Sequence, residues 1–382
     1  MDYHWQPIHS PIVQVDWLPF RIPYVAAFTT AHGQATVRAG AIVRVGLANG
    51  LVGLGEAAPL PEFGGGTLDD TLAAVAHIAR WLPGKFLAEA AALLDGLALD
   101  APGMSAALCG FDTALLDVAA QAAGLPLARF LTMAAVRSVP VNATVGAADT
   151  NTACRIAAEA VQAGFGTVKL KVGVAATPSA ELARIAAVRA AIGEDAQLRL
   201  DANGAWEVEA AIAIIRAAEA YGIQLVEQPV APHDLAGMAT VRAAVHTPIA
   251  ADEAAGTPKQ AAAVLAAGAA DTLVVKPMMA GGLRRGCEII ARAQAAHVQT
   301  LVTTTIDAGV GVAAALHLAA TLPTMPFACG LATGGLLASD LLMHPIDIRN
   351  GTAILPELPG LGVRLDDRQL ARYAGVWQPH TA

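Results

Sequence analysis

Apolar and polar positions change rhythm along the chain, and the change divides it. Residues 11–58 carry apolar runs rich in β-branched side chains, IVQVDWLPF and AGAIVRVGLANGLVGLGEA. These runs predict strands. Ala48-Asn49-Gly50 inside the second run signals a hairpin. YVAAFTTAHGQ, between the two runs, reads as a small-residue loop too long for a tight turn. A second loop, PLPEFGGGTLDD, has glycines but neither a P-loop nor a GxGxxG after a strand, so it reads as a flexible segment or a lid over a site. Residues 68–133 then repeat apolar side chains at helical spacing. TLDDTLAAVAHIARWL opens on Thr67 with acids in its first turn, and MSAALCGFDTALLDVAAQAAG stops at Gly124 ahead of Pro126. Strands followed by helices predict an α+β unit over residues 1–135.

From residue 137 short strands and helical segments alternate. The strands are VPVNATVG, TVKLKV, QLRLDAN, IQLVEQPV, PIAADE, DTLVVKP, QTLVTTT and PFACGLAT. Eight strands separated by helices predict a closed parallel barrel over residues 136–344. The tail, 345–382, has no further βα unit and is expected to pack back on the first domain.

Composition narrows the classes of function. With 382 residues, 55% of them hydrophobic and 15% charged, the chain can bury a large core and is not disordered. Its net charge of −8 argues against a nucleic-acid partner and gives no reason to invoke anionic lipid. The four cysteines are scattered without a CxxC, so buried free thiols in a reducing cytoplasm are expected. The first residues show no cationic apolar leader, and no apolar run is long enough to span a bilayer. These features predict a cytoplasmic protein with a small-molecule partner, with a homo-oligomer left open.

The chemistry lies at the strand ends. Lys169 and Lys171 end the second barrel strand, Asp201 and Asn203 the third, Glu227 the fourth, Asp252 and Glu253 the fifth, and Lys276 the sixth. Catalytic groups of such barrels sit on the face formed by the C-terminal ends of the strands, and all of these fall there. Period-two geometry sends Lys169 and Lys171 to one side of their strand, and Asp201 and Asn203 to one side of theirs. Of the adjacent Asp252 and Glu253, one is expected to point inward. Three converging carboxylates, Asp201, Glu227 and Asp252, repel unless a cation sits among them. Hard oxygen ligands suit a divalent ion, most simply Mg²⁺ with Mn²⁺ as the substitute. Lys171 and Lys276 come from opposite sides of a closed barrel. A lysine beside a cation and a second lysine loses its proton more readily, and can then take the α-proton of a metal-bound carboxylate substrate. Lys169 is expected to bind substrate or to assist Lys171.

At these residues the sequence resembles the enolase superfamily, in the branch of the muconate-lactonising enzymes, whose lysine-plus-magnesium chemistry is a known pattern. The resemblance rests on Lys-x-Lys, DAN, EQP, ADE and the sixth-strand lysine, and it covers nearly the whole chain. It implies an α/β fold: a modified TIM barrel of the (β/α)7β type with an α+β capping domain. VVKPMMAGGL, TTTIDAGVGVAAALHLAA, GLAT and PGLGV look most like the o-succinylbenzoate synthases, dehydratases of menaquinone synthesis. The resemblance implies Lys171 as general base and later acid, and Lys276 as electrostatic stabiliser or second acid/base. It gives Asp201, Glu227 and Asp252 as Mg²⁺ ligands, with Asn203 and Glu253 supporting them. Thr303, Thr305 and the backbone of residues 330–333 would line the succinyl end, and cap segments 24–32 and 60–67 would close the pocket. His32 reads as a surface histidine. Racemases or epimerases of N-acylamino acids or dipeptides share this site, and a catalytically silent barrel is the remaining alternative. GLATGG stands where a dipeptide epimerase would hold an ammonium with acids, which disfavours that activity.

Overall fold

The computed structural model describes residues 9–30 and 33–381. The chain opens with three antiparallel strands, β1 (Ile12–Thr30), β2 (Gly33–Leu47) and β3 (Val52–Ala57). Gly50 takes a φ of 86° in the turn between β2 and β3, the left-handed conformation that the Asn-Gly signal anticipates. The expected loop over residues 24–34 is instead mostly ladder. Phe28, Thr29 and Thr30 pair with Ala35, Gln34 and Gly33, after a register shift beyond Pro23. Its Val, Phe and Thr favour extended backbone, and the shift absorbs the irregularity. His32 lies outside the described residues.

Helices α1 (Leu68–Ala79), α2 (Leu87–Asp95), α3 (Met104–Ala122) and α4 (Leu127–Leu131) follow. Thr67 and Asp70 form a reciprocal capping box at the start of α1. Helix α3 lies directly on β3. A Cβ on Gly53 or Gly55 would stand 2.0 Å from the Ala114 carbonyl oxygen or 1.9 Å from that of Gly110. Glycine here permits backbone-to-backbone approach. Ile12, Val43, Val45, Leu108, Phe111 and Leu115 fill the core between sheet and helices.

Beyond β4 (Ser138–Pro140), the barrel alternates in order. It comprises β5 (Ala143–Val145), α5 (Thr150–Gln162), β6 (Thr167–Lys171), α6 (Pro178–Ile192), β7 (Gln197–Asp201), α7 (Val208–Ala218), β8 (Ile223–Glu227) and α8 (Leu235–Ala244). Then come β9 (Ile249–Ala251), α9 (Pro258–Ala267), β10 (Thr272–Val275), α10 (Pro277–Ala280), α11 (Leu283–Ala295), β11 (Gln299–Val302) and α12 (Gly309–Ala319). The seven strands β5 to β11 form one sheet in sequence order, with parallel pairing throughout. The eighth strand is reduced to two parallel bridges, Val141 to Cys329 and Thr303 to Gly330. They close the barrel between its first and seventh strands, giving the (β/α)7β form with its α+β cap.

The tail supplies β12 (Ile348–Arg349), β13 (Thr352–Ile354), α13 (Asp367–Tyr373) and β14 (Gln378–Thr381). β13 pairs with β4, and β14 returns to pair with β1 on the cap sheet. Cys109, Cys287 and Cys329 are buried, and Cys154 is half-buried. Among the described residues no helix is long and apolar enough to cross a membrane.

Candidate active site

Register assembles the ladder. Lys171, Asp201 and Glu227 are the last residues of β6, β7 and β8, and they stand opposite one another across the sheet. Asp252 and Lys276 are the first residues beyond β9 and β10. Alternation turns Lys169, Lys171, Arg199 and Asp201 inward while Leu170 and Leu200 face the helices. Lys169, Lys171, Asp201, Glu227, Asp252 and Lys276 are each at most 8% exposed.

The three carboxylates each offer an oxygen, and these oxygens lie within 4.8 Å of one another. Lys169 donates to Asp201 Oδ2 at 2.9 Å and to Glu227 Oε1 at 3.1 Å. Lys171 donates to Asp201 Oδ2 at 2.6 Å and to Asn203 Oδ1 at 2.9 Å. Lys276 donates to Asp252 Oδ2 at 2.5 Å. Burial alone would push Asp201 up, but Lys169 and Lys171 outweigh it and hold that carboxyl well below its usual range. Glu227 is pushed up to about 8, first by burial and then by the charge of Asp201. Burial also raises Asp252, against the pull of Lys276. Burial disfavours the Lys169 ammonium, yet Asp201 and Glu227 overcome it and raise its pKa.

Glu227 and Asp252 are therefore short of positive charge even with three lysines around the cluster. A compact, buried set of hard oxygen donors with that deficit fits a divalent cation of the Mg²⁺ or Mn²⁺ kind. Lys169 thus sits beneath Asp201 and Glu227 as a partner of the acids.

Asn203 and Glu253 stand behind the carboxylate cluster. Asn203 accepts from Lys171, and its amide nitrogen donates to Glu253 Oε1 at 2.9 Å. Of the adjacent acids, Asp252 joins the carboxylate cluster and Glu253 turns to Asn203. The second oxygen of Glu253 is buried without a partner. Asn203 takes a φ of 46° and the next-strand residue Gln228 a φ of 41°. Sequence reasoning passed over Gln228. Its Oε1 accepts from the backbone of Asp252 and Ala254, both at 3.1 Å, and so sets the fifth-strand turn. Its place directly after Glu227 was the available signal.

Phe63 was also missed. Its ring lies 4.0 Å from Lys276 Nζ, opposite a lysine already held by Asp252. Phe63 belongs to a short 3₁₀ turn, Pro61–Phe63, in the glycine-rich cap segment. That segment is anchored rather than loose: Gly65 accepts from Gly103 N at 3.0 Å, and Gly66 packs against the same backbone. Thr303 contacts Gly330, and its buried hydroxyl has no partner. Thr305 is committed elsewhere, donating to Asp307 Oδ1 at 2.5 Å and accepting from Arg38 at 3.2 Å. Arg199 plugs the barrel floor, donating to Ala328 O at 2.7 Å and lying over Phe327.

Two family models match nearly the whole chain. The mandelate racemase/muconate lactonizing enzyme N-terminal domain matches residues 8–132, and the enolase C-terminal domain-like model matches residues 152–369. The chain belongs to the enolase superfamily, in its muconate-lactonising branch. Members similar to it are enzymes of several kinds. A chloromuconate cycloisomerase of Cupriavidus necator is 32% identical over 96% of this chain and 98% of its own. An o-succinylbenzoate synthase of Thermobifida fusca is 37% identical over 64% of this chain and 74% of its own. A dipeptide epimerase of Enterococcus faecalis, solved with Mg and the dipeptide L-Leu-L-Tyr, superposes with a TM-score of 0.87 at 31% identity. That match covers 92% of this chain and 99% of the epimerase. Membership fixes the fold.

Proposed function

We propose that the chain is an o-succinylbenzoate synthase, dehydrating 2-succinyl-6-hydroxy-2,4-cyclohexadiene-1-carboxylate in menaquinone biosynthesis. The observation that carries this is the rim of the eighth strand. Gly330-Leu331-Ala332-Thr333 follows the barrel-closing bridge and offers no acid to a substrate ammonium. A buried ammonium without a counter-charge is costly, so a free dipeptide amine is a poor occupant. The hydroxycyclohexadiene substrate carries carboxylates but no ammonium, so it needs no acid on this wall, and the unpartnered Thr303 hydroxyl would be a hydrogen-bond donor to its succinyl arm.

Asp201, Glu227 and Asp252 would hold the divalent ion. Bound there, the ion supplies positive charge where negative charge develops on the substrate carboxylate. The other steps belong to the chain. Lys171 takes the α-proton, and the electron pair of the broken C–H bond moves into the enediolate. Lys276, fixed between Asp252 and Phe63, offsets the growing negative charge. The C–OH bond then breaks and the ring becomes aromatic. The departing hydroxide takes back the proton held by Lys171 and leaves as water. Asn203 fixes the position of Lys171, and Lys169 holds Asp201 and Glu227 in place.

An N-succinylamino acid racemase is the second function that the site accommodates. It is favoured by Lys276, which faces Lys171 from the fourth strand along in an eight-membered ring. The test is an assay of the hydroxycyclohexadiene substrate beside N-succinylamino acids. Efficient turnover of the first supports the synthase; efficient turnover of only the second overturns it.

A further inference from the structure

A second buried cluster joins cap to barrel away from the ladder. Arg38, on β2, is 3% exposed. Its guanidinium donates to the carbonyls of Ala58 at 2.6 Å and Ile306 at 3.0 Å, to those of Pro59 and Ala39, and to Thr305 Oγ1. It also pairs with Asp307 at 3.5 Å. Glu56, on β3, accepts from the backbone of Ala308 and Gly311, both at 2.8 Å. These amides open α12 and would otherwise lack partners within the helix.

The two segments held this way both reach the ladder. One runs from Ala58 to the turn that puts Phe63 over Lys276, and Ala58 N also donates to Met278 Sδ, two residues past Lys276. The other runs from Thr303, whose N–H donates to Val275 O at 3.0 Å next to Lys276, to Ile306. Ile306 takes a φ of 60°, a strained conformation for a β-branched residue. The bond from Arg38 to its carbonyl and a bond from its N–H to Thr304 Oγ1 hold it there.

The geometry assigns Arg38 and Glu56 as positioning residues that set the aromatic cover of Lys276 and the seventh-strand turn against the carboxylates. This rests on the role proposed above for Lys276. Neither residue touches the ladder. A planar fork of five donors can serve carbonyls in several directions at once, which a lysine cannot do. Each donor lost leaves a buried carbonyl unsatisfied.

The test uses Arg38→Lys, Arg38→Met and Glu56→Gln, with Arg155→Met, in an exposed helical ion pair, as control. Two readouts are taken on the full chain: amide hydrogen exchange in peptides covering 58–66 and 303–311, and kcat and KM separately. Faster exchange in both segments is expected, with kcat down about 10–100-fold and KM changed by less than about threefold. The control should change neither. Arg38→Met is the variant most exposed to misfolding, and Arg38→Lys and Glu56→Gln then decide. Wild-type protection in both segments overturns the proposal, as does a rise in KM with kcat intact. If neither substrate class is turned over, the synthase assignment fails while exchange still decides this one: acceleration of 303–311 without 58–66 overturns it.

Discussion

Replacing Lys171 by methionine removes a positive charge as well as a base. The residue is 8% exposed and its Nζ lies 2.6 Å from Asp201 Oδ2. Any cation on that carboxylate is a close neighbour of the ammonium. Like unit charges about 4 Å apart repel by about 4 kcal/mol at an effective dielectric of ~20. Realising about a third of that gives ~1.4 kcal/mol, a tenfold tighter Kd for Mg²⁺. Lys169 still pairs with Asp201 at 2.9 Å, so the carboxylate keeps a partner and the site keeps its shape. Loss of the base should meanwhile lower α-proton exchange by at least about 10²–10⁴-fold. Magnesium titration calorimetry on chelator-treated protein measures the first effect, and NMR of substrate in D₂O measures the second. Exchange near the wild-type rate removes Lys171 as the base. Weaker magnesium binding refutes the electrostatic picture of lysine and metal competing for Asp201.

Chelation should abolish turnover and Mg²⁺ or Mn²⁺ should restore it; full turnover by metal-free protein would discard the carboxylate cluster as a metal site. Gly55→Ala forces a methyl into the Gly110 carbonyl and should cost at least about 1–3 kcal/mol by denaturant titration, whereas an unchanged midpoint would mean α3 is free to retreat. His317 accepts from Ala128 N at 3.0 Å and is fully buried, and burial lowers its pKa from 6.5 to about 4. A folded-state pKa below the unfolded value means its contribution is whole above pH 6.5 and lost as pH falls through about 4. The shift corresponds to about 3 kcal/mol, so His317→Asn should flatten the stability profile between those pH values; an unchanged slope would show that another group carries it.

The ladder was legible because it obeys local rules. A charged residue ending each short apolar strand, at nearly equal steps, needs only the strand–helix alternation to bring Lys171, Asp201, Glu227 and Asp252 together. Period two correctly turned Lys169 and Lys171 the same way. What was not legible depends on contacts between distant parts of the chain. Nothing near Arg38 or Glu56 announces that they meet residues 305–311, because their partners are mostly backbone atoms, which carry no sequence signal. Phe63 lies among glycines that suggested flexibility, yet Gly66 serves close approach to Gly103. The hairpin over residues 24–34 was obscured because small residues and a register shift break its alternation. PFACGLAT was expected as a full strand, and its backbone makes only the bridges at Cys329 and Gly330.

That shortened eighth strand bears on how such a protein can change over generations. A residue inside a ladder is constrained by two neighbouring strands and by the face it must bury. Residues 331–336 lie just past the bridges and answer to no ladder. Mutations there can alter that rim while Lys171, Asp201 and Glu227, locked in register across β6 to β8, stay where they are. The barrel thus keeps its charged half fixed and leaves the opposite rim open to drift. A cycloisomerase, an o-succinylbenzoate synthase and a dipeptide epimerase among the similar proteins are the diversity such a division would allow.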